Sequence, residues 1–361
     1  MTSRTIKIGR RLVGHGQPCF VIAEGGVNHN GQPALAEDLV RIAAQCDADA
    51  VKFQKRTIDE LLTRAALDRP YVNPNSLGAT YGEHRQKLEL SEQDWIRLRD
   101  LATGLGLEFM GSAWDRGSAD LLDALDTPAI KTPSAVLTDL DLMEYIARKG
   151  RPMIVSAGMS TLEEIDQAVD RILRHTNDLI LLQCTSAYPS EFGDINLRVM
   201  DTFSKRYGIL VGYSGHERGI AVTAAAATLG ACVVERHFTK DRTLPGPDHA
   251  ASLEPIGLEK LIRDIRHIEA ALGSGEKRIA AAEVPVRARL GKSVVSTQHI
   301  SAGSTLRLDM LTAKSPGDGI AANHLADLVG RVVPVDVAAD TLLPTEALHW
   351  ETARDGVGTR S

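Results

Sequence analysis

The sequence predicts a (β/α)₈ barrel, a TIM barrel, followed by a small β-rich domain, and three observations carry that expectation. From Pro18 to about Leu272, short apolar runs alternate with amphipathic stretches of helical period, the pattern of strand–helix units around a parallel sheet. Eight such units can be counted, the number that closes a barrel, and no Gly-x-Gly-x-x-Gly follows the first run as a doubly wound dinucleotide-binding sheet would show. From Gly291 the pattern becomes short β-like runs, so the 361 residues, more than one core usually supports, divide in two.

Taken in order, the expected strands are Cys19–Ala23, Ala50–Gln54, Glu108–Ser112, Ala129–Lys131, Met153–Ser156, Leu179–Cys184, Ile209–Tyr213 and Cys232–His237. Each is followed by a stretch of helical period. The second is followed first by a long segment, Arg56 to Leu90, containing Arg69-Pro-Tyr71, Asn73-Pro-Asn75 and Thr80-Tyr-Gly-Glu-His84, of the kind that forms a functional lid or substrate wall, or a solvated excursion with its own short helix. The barrel domain is expected over residues 1–280, a linker over 281–290, the small domain over 291–350 and a disordered tail over 351–361. Within the small domain, Ala302–Leu306 faintly echoes Ala338–Leu342, as a pseudo-symmetric β unit would.

Hydrophobic residues make up 43% and charged residues 24%, which excludes a largely disordered chain. A net charge of -6 gives no long-range pull toward nucleic acid or anionic membrane, so an anionic ligand must be met by a local cluster of donors. The N-terminus has no apolar core of a signal sequence, and no apolar run nears the roughly 18 residues of a membrane span, so a cytoplasmic protein is expected. Cys19, Cys46, Cys184 and Cys232 are scattered without a Cys-x-x-Cys pair, which predicts reduced core thiols rather than a disulfide framework or a thiolate zinc site.

In a barrel of this kind the catalytic groups sit at the C-terminal ends of the strands. Here those ends carry Glu24, Lys52, Ser112, Lys131 with Ser134, Ser156, Thr185 with Ser186, Ser214 with His216, and His237. His216 and His237 end neighbouring strands, and two imidazoles side by side can hold a divalent metal with positions left for water and a carbonyl oxygen, or can be hydrogen-bonded rim residues. Lys52, Lys131 and the serines describe an anion pocket; either lysine can instead pair with Glu24 or Glu235, and a desolvated Lys131 can be a Schiff-base amine. Glu24 can act as a general base or sit in a salt bridge with a strand-end lysine. Asp248 and His249 lie on a Gly/Pro-stiffened loop suited to sugar hydroxyls, or to a plain turn.

Six ordered motifs resemble the sialic acid synthase family: Ile22-Ala-Glu24 with Asn28–Gly31, Lys52-Phe-Gln54, Gln183–Pro189, Gly212–His216, Glu235–Thr239 and Gly246–Pro255. Leu290–Val295 and Ile300–Leu306 are similar to the antifreeze-like SAF domain that this family carries, so the resemblance covers about residues 18–348. It implies metal-dependent condensation of phosphoenolpyruvate with an open-chain mannosamine-type or mannose-type sugar, giving a nonulosonic acid and phosphate. It implies Mn²⁺ or Mg²⁺ on His216 and His237 and a catalytic carboxylate at Glu24. Phosphoenolpyruvate contacts are implied at Lys52, Ser112, Lys131, Ser134, Ser156, Ser186 and Ser214, and sugar contacts at Gln54, Tyr81, Tyr188 and Asp248. A domain-swapped homodimer is implied as well.

Two positions depart from the family pattern. Lys131-Thr-Pro-Ser-Ala-Val136 has Val136 where an acidic residue is usual, and Lys314-Ser-Pro-Gly317 has Ser315 where an arginine is usual. Both fall on the sugar side and point to an altered acceptor. The competing readings are a pyruvate aldolase using Lys131 and a non-catalytic sugar- or anion-binding barrel.

Overall fold

The computed structural model describes residues 4–73 and 75–353. The chain forms two compact units, Met1–Gly273 and Ser274–Ser361.

In the first unit eight parallel strands close a barrel: β3 (Phe20–Gly26), β4 (Ala50–Lys55), β5 (Glu108–Ala113), β6 (Ile130–Thr132), β7 (Met153–Ser156), β8 (Leu179–Cys184), β9 (Leu210–Gly215) and β10 (Val233–His237), with β10 pairing back onto β3. All eight expected strands are present, shifted by a residue or so at their starts. The first runs on to Gly26 through a register irregularity between Glu24 and Gly26.

The two-residue period of a strand explains how one segment serves two purposes. Along β4, Val51 and Phe53 face outward into the packing against the helices, while Ala50 joins the barrel interior. The same alternation sets Phe20 and Ile22 below Glu24, Met110 below Ser112, Ile154 below Ser156, and Val233 below Glu235 and His237. Interior positions are thus apolar at the N-terminal end and polar at the C-terminal end. That polarity gradient is what creates a site at one end only.

An antiparallel hairpin, β1 (Thr5–Ile8) and β2 (Arg11–Gly14), precedes the barrel and was not among the expected strands. Its signal is the alternation of Ile6 and Ile8, followed by Val13. These three side chains bury themselves with Phe20, Ala50, Met110 and Ile180, closing the apolar end.

Capping residues delimit the outer helices. Ser91 and Thr161 each form a reciprocal capping box with the residue at the third helical position, and Pro255 opens the last barrel helix, Pro255–Leu272. Residues 56–90 fold into three short helices, Ile58–Leu61, Arg64–Leu67 and Tyr81–Lys87, joined by a bridge between Pro70 and Thr80. All four cysteines are free and buried.

The second unit is built around antiparallel strands β11 (Ser293–Ser296) and β12 (Leu311–Lys314), with further bridges Val295–Leu342, Ile300–Val337 and Thr305–Val332. Val294, Leu306, Leu328, Val333 and Leu343 form its core. Residues 281–290, expected as a linker, contain a 3₁₀ turn and the helix Val284–Leu290. The expected tail begins too early: Thr352 bridges Arg331 and Val332 N–H donates to Glu351 O at 2.7 Å, so residues 351–353 belong to this unit. Residues 354–361 lie outside the described residues.

Candidate active site

A cavity of about 310 Å³ opens at the C-terminal ends of the barrel strands. Apart from Glu24, Lys52 and Ser112, every residue that the family resemblance implied lines it: Gln54, Tyr81, Lys131, Ser134, Ser156, Ser186, Tyr188, Ser214, His216, His237 and Asp248; Thr185 and His249, also weighed from the sequence, do not. The three exceptions are fully buried.

Those three form one network. Lys52 Nζ lies 2.6 Å from Glu24 Oε2 and donates to Ser112 Oγ at 2.5 Å, with Glu235 Oε2 at 3.6 Å. The neighbouring positions Glu24 and Lys52 are in register across β3 and β4, so pleat and pairing bring the charges together. Gln54 Nε2 donates to the other oxygen of Glu24, and Trp114 Nε1 donates to Gln54 Oε1 at 2.6 Å, which sets the Gln54 amide in the cavity wall. The structure therefore contains the salt bridge weighed for Glu24, with Gln54 relaying it to the surface.

Burial raises the Glu24 pKa to about 6, against the opposing pull of Lys52. For Glu235 burial also pushes upward, but the ammonium groups of Lys131 and Lys52 outweigh it and hold the carboxyl down at about 2. Burial lowers the pKa of Lys131, which Glu235 partly offsets; its Nζ donates to Thr132 O at 2.8 Å. Two carboxylates of opposite proton affinity and two lysines thus share the floor of the cavity.

Around Lys131 the hydroxyls are open for a ligand. Ser156 Oγ is buried without a partner among the described residues. Ser134 accepts from Gly158 N–H at 3.0 Å, and a Cβ at Gly158 would lie 2.4 Å from Ser186 Oγ and 2.8 Å from Ser134 Oγ, so only glycine lets β7's end approach both serines. Ser214 Oγ donates to Glu235 Oε1 at 3.2 Å.

At the ends of β9 and β10 the rings of His216 and His237 are 5.4 Å apart, and Tyr188 packs against both at 4.1 and 5.7 Å. His216 Nδ1 lies 2.9 Å from Thr185 O, a bond that places the proton on Nδ1 and leaves Nε2 as the lone-pair nitrogen. Burial lowers the affinity of His216 for a second proton, but contact with Cys184 Sγ at 3.9 Å and the Thr185 carbonyl raise it further. Burial holds His237 neutral, with a pKa lowered to about 4, and its buried Nδ1 has no hydrogen-bond partner among the described residues, Asp248 Oδ2 being 3.8 Å away. A neutral imidazole with an unsatisfied nitrogen beside a second imidazole suits a divalent metal, with any remaining ligands coming from water or substrate. Among the described residues no group of three or more His, Cys, Asp or Glu forms a complete metal cage.

His249, grouped with Asp248 from the sequence, is turned to a structural use: its Nδ1 is 2.6 Å from Thr239 Oγ1 and it is buried. Val136 is buried among apolar neighbours. Other lining residues were missed or undervalued. Glu235, considered only as a lysine's partner, lines the cavity two residues before His237, a spacing that itself puts both on the barrel interior. Arg56, Arg85 and Trp114 also line it, the two arginines from the 56–90 segment and Trp114 from just beyond β5.

A ring of strand-end polar groups facing a histidine pair, with a SAF-like second unit, is the organisation of a sialic-acid-type synthase. Residues 39–277 match the NeuB family and residues 291–348 the SAF domain, and the chain belongs to the NeuB family. It is 41% identical over 341 residues to N-acetylneuraminate-9-phosphate synthase of Mus musculus, covering 94% of this chain and 95% of the relative. It is 39% identical over 342 residues to N,N'-diacetyllegionaminic acid synthase of Legionella pneumophila, covering 93% and 96%. The solved sialic acid synthetase of Leptospira borgpetersenii in complex with citrate superposes with a TM-score of 0.69 at 29% identity, over 79% of this chain and 95% of that one.

Proposed function

We propose that this protein condenses phosphoenolpyruvate with the open-chain aldehyde of a mannose-type hexose, giving a nonulosonic acid and inorganic phosphate. The observation that carries the reading is one cavity lined both by a lysine–serine set, Lys131 with Ser134, Ser156 and Ser186, and by the His216–His237 pair. The similarity to synthases of sialic and legionaminic acids supports it.

Lys131 and the serines hold the phosphate and carboxylate oxygens through charge-assisted hydrogen bonds, while Tyr188, Gln54 and Asp248 orient the sugar. A divalent metal, Mn²⁺ or Mg²⁺, fits the two imidazoles and when bound supplies Lewis acidity toward a carbonyl oxygen. The enol carbon of phosphoenolpyruvate forms a bond to the aldehyde carbon, whose oxygen takes up a proton. Water then adds to the electron-deficient carbon that carries the phosphate and gives up a proton, and phosphate leaves with its bridging oxygen as the new hydroxyl loses its proton to form the keto group. Glu24, which burial raises to about 6, lies beneath the cavity, and its proposed part is to hold the Lys52 ammonium and the Gln54 amide in place.

Val136 and Ser315, in place of an acid and an arginine, favour an acceptor other than plain N-acetylmannosamine. Ordinary turnover of that sugar would refute this part. On the same family reading the protein is a cytoplasmic, domain-swapped homodimer; a monomer by light scattering at working concentration would count against the dimer. No helix among the described residues is long and apolar enough to cross a membrane.

Phosphate release from phosphoenolpyruvate with Mn²⁺ across a sugar panel tests the reaction. Release that needs the sugar, the metal and His237 supports it; silence from a folded protein with every sugar sinks it. The burial and lowered pKa of Lys131 favour one second reading, a Schiff-base pyruvate aldolase. Borohydride trapping of a pyruvate adduct on Lys131 would establish that alternative.

A further inference from the structure

The relatives at 41% and 39% identity are named for different products, one phosphorylated and one not, so similarity alone leaves the acceptor's charge open. The cavity carries a second cationic region outside the phosphoenolpyruvate wall. Arg56 and Arg85 line it together with Tyr71, Tyr81 and Trp114, and both guanidinium groups come from the 56–90 segment and its approach to β5.

These are not ordinary surface arginines. Arg56 is 4% exposed; its Nε donates to Glu89 Oε1 at 2.9 Å, yet its Nη2 is buried without a partner among the described residues. Arg85 has no carboxylate partner among the described residues; its Nε donates to Tyr81 Oη at 2.8 Å and its guanidinium lies 4.9 Å from the Tyr81 ring centroid. Glu89 is also shared with Lys55 at 3.6 Å, so one carboxylate faces two cations while Arg85 stands nearby without one. A buried donor with no acceptor costs about 1–3 kcal/mol, more when charged, and a surplus of guanidinium charge in a cavity is relieved by a bound anion.

Resting on the condensation proposed above, we infer that the acceptor is a hexose phosphate monoester whose terminal phosphate is held by Arg56 and Arg85. Planar guanidinium forks match phosphate oxygens in pairs, and Tyr81 and Trp114 hold the two forks at fixed orientation. The product is then a nonulosonic acid phosphorylated at its far end, and a phosphomonoesterase must follow before the free acid can be used.

The test compares kcat/KM for N-acetylmannosamine with its 6-phosphate, and for mannose with mannose 6-phosphate, by phosphate release at saturating phosphoenolpyruvate. The phosphorylated sugar of at least one pair is expected to be preferred about 100-fold, and Arg85→Gln to cut that ratio about tenfold, with Arg85→Lys keeping part of it. Arg85 is half-buried and bonded only to Tyr81, so this variant avoids the folding risk of Arg56→Ala. A preference for the unphosphorylated sugars overturns the inference while the condensation stands. A rise in the KM for phosphoenolpyruvate equal to that for the sugar assigns the arginines to the other substrate and also overturns it. Silence with every sugar removes both.

Discussion

The two walls of the cavity are built differently. Of the proposed anion contacts, Lys131, Ser156 and Ser214 stand on barrel strands and are buried, while Ser134 and Ser186 follow within two residues of strand ends. Of the proposed sugar contacts, Tyr81, Arg85, Tyr188 and Asp248 stand on connecting segments and Gln54 on β4, and Tyr188 is 51% exposed. Strands fixed by hydrogen bonds on both sides hold charge with little reorganisation, which the shared chemistry needs. Segments between strands can change without disturbing the barrel. The departure at Val136, just beyond Ser134 in a 3₁₀ turn, lies where the strand wall gives way to a connecting segment.

The largest effect expected on this comparison comes from the histidine pair between the walls. His237→Ala should lower kcat by about 10³-fold, roughly 4 kcal/mol, with circular dichroism unchanged. Activity close to that of the parent would end the assignment of these imidazoles.

Acid stability tests the same residue without substrate. The unfolded imidazole binds a proton near 6.5 and the folded His237 only at about 4, so its contribution is present above pH 6.5 and lost as the pH falls toward 4. The loss should be on the order of 3 kcal/mol by urea denaturation, and His237→Gln should flatten that part of the curve. An unchanged slope would show that His237 is not held neutral.

Lys131→Met attacks the strand wall. It is expected to raise the KM for phosphoenolpyruvate about 100-fold while moving the sugar KM far less. An equal rise for both substrates would break the division into two walls.

Asp248→Asn on the loop wall should do the reverse and do less, raising the sugar KM about fivefold, or ~1 kcal/mol, with phosphoenolpyruvate unaffected. No change would remove Asp248 from the sugar contacts.

The barrel and most of its site were legible because both follow from short-range periodicity. A two-residue repeat at eight strand ends marks which side chains face inward, and the family motifs sit on those same ends. The N-terminal hairpin was missed because its apolar residues are few and interrupted by charge, although their alternation was visible. Residues 351–353 were missed because a polar edge segment gains its hydrogen bonds only from a partner distant in sequence, here residues 330–332.

From sequence alone came the eight strands, the histidine pair, the serines and Lys131, since each is set by position within its own element. Only the tertiary structure decided that Lys52 and Glu24 are spent on each other beneath the cavity, that Glu235 stands in its wall, and that Arg56 and Arg85 share it. Those outcomes depend on register between strands and on how a 35-residue stretch, residues 56–90, folds back over the barrel. Proton affinity and pairing follow from distance and burial, which no local pattern encodes.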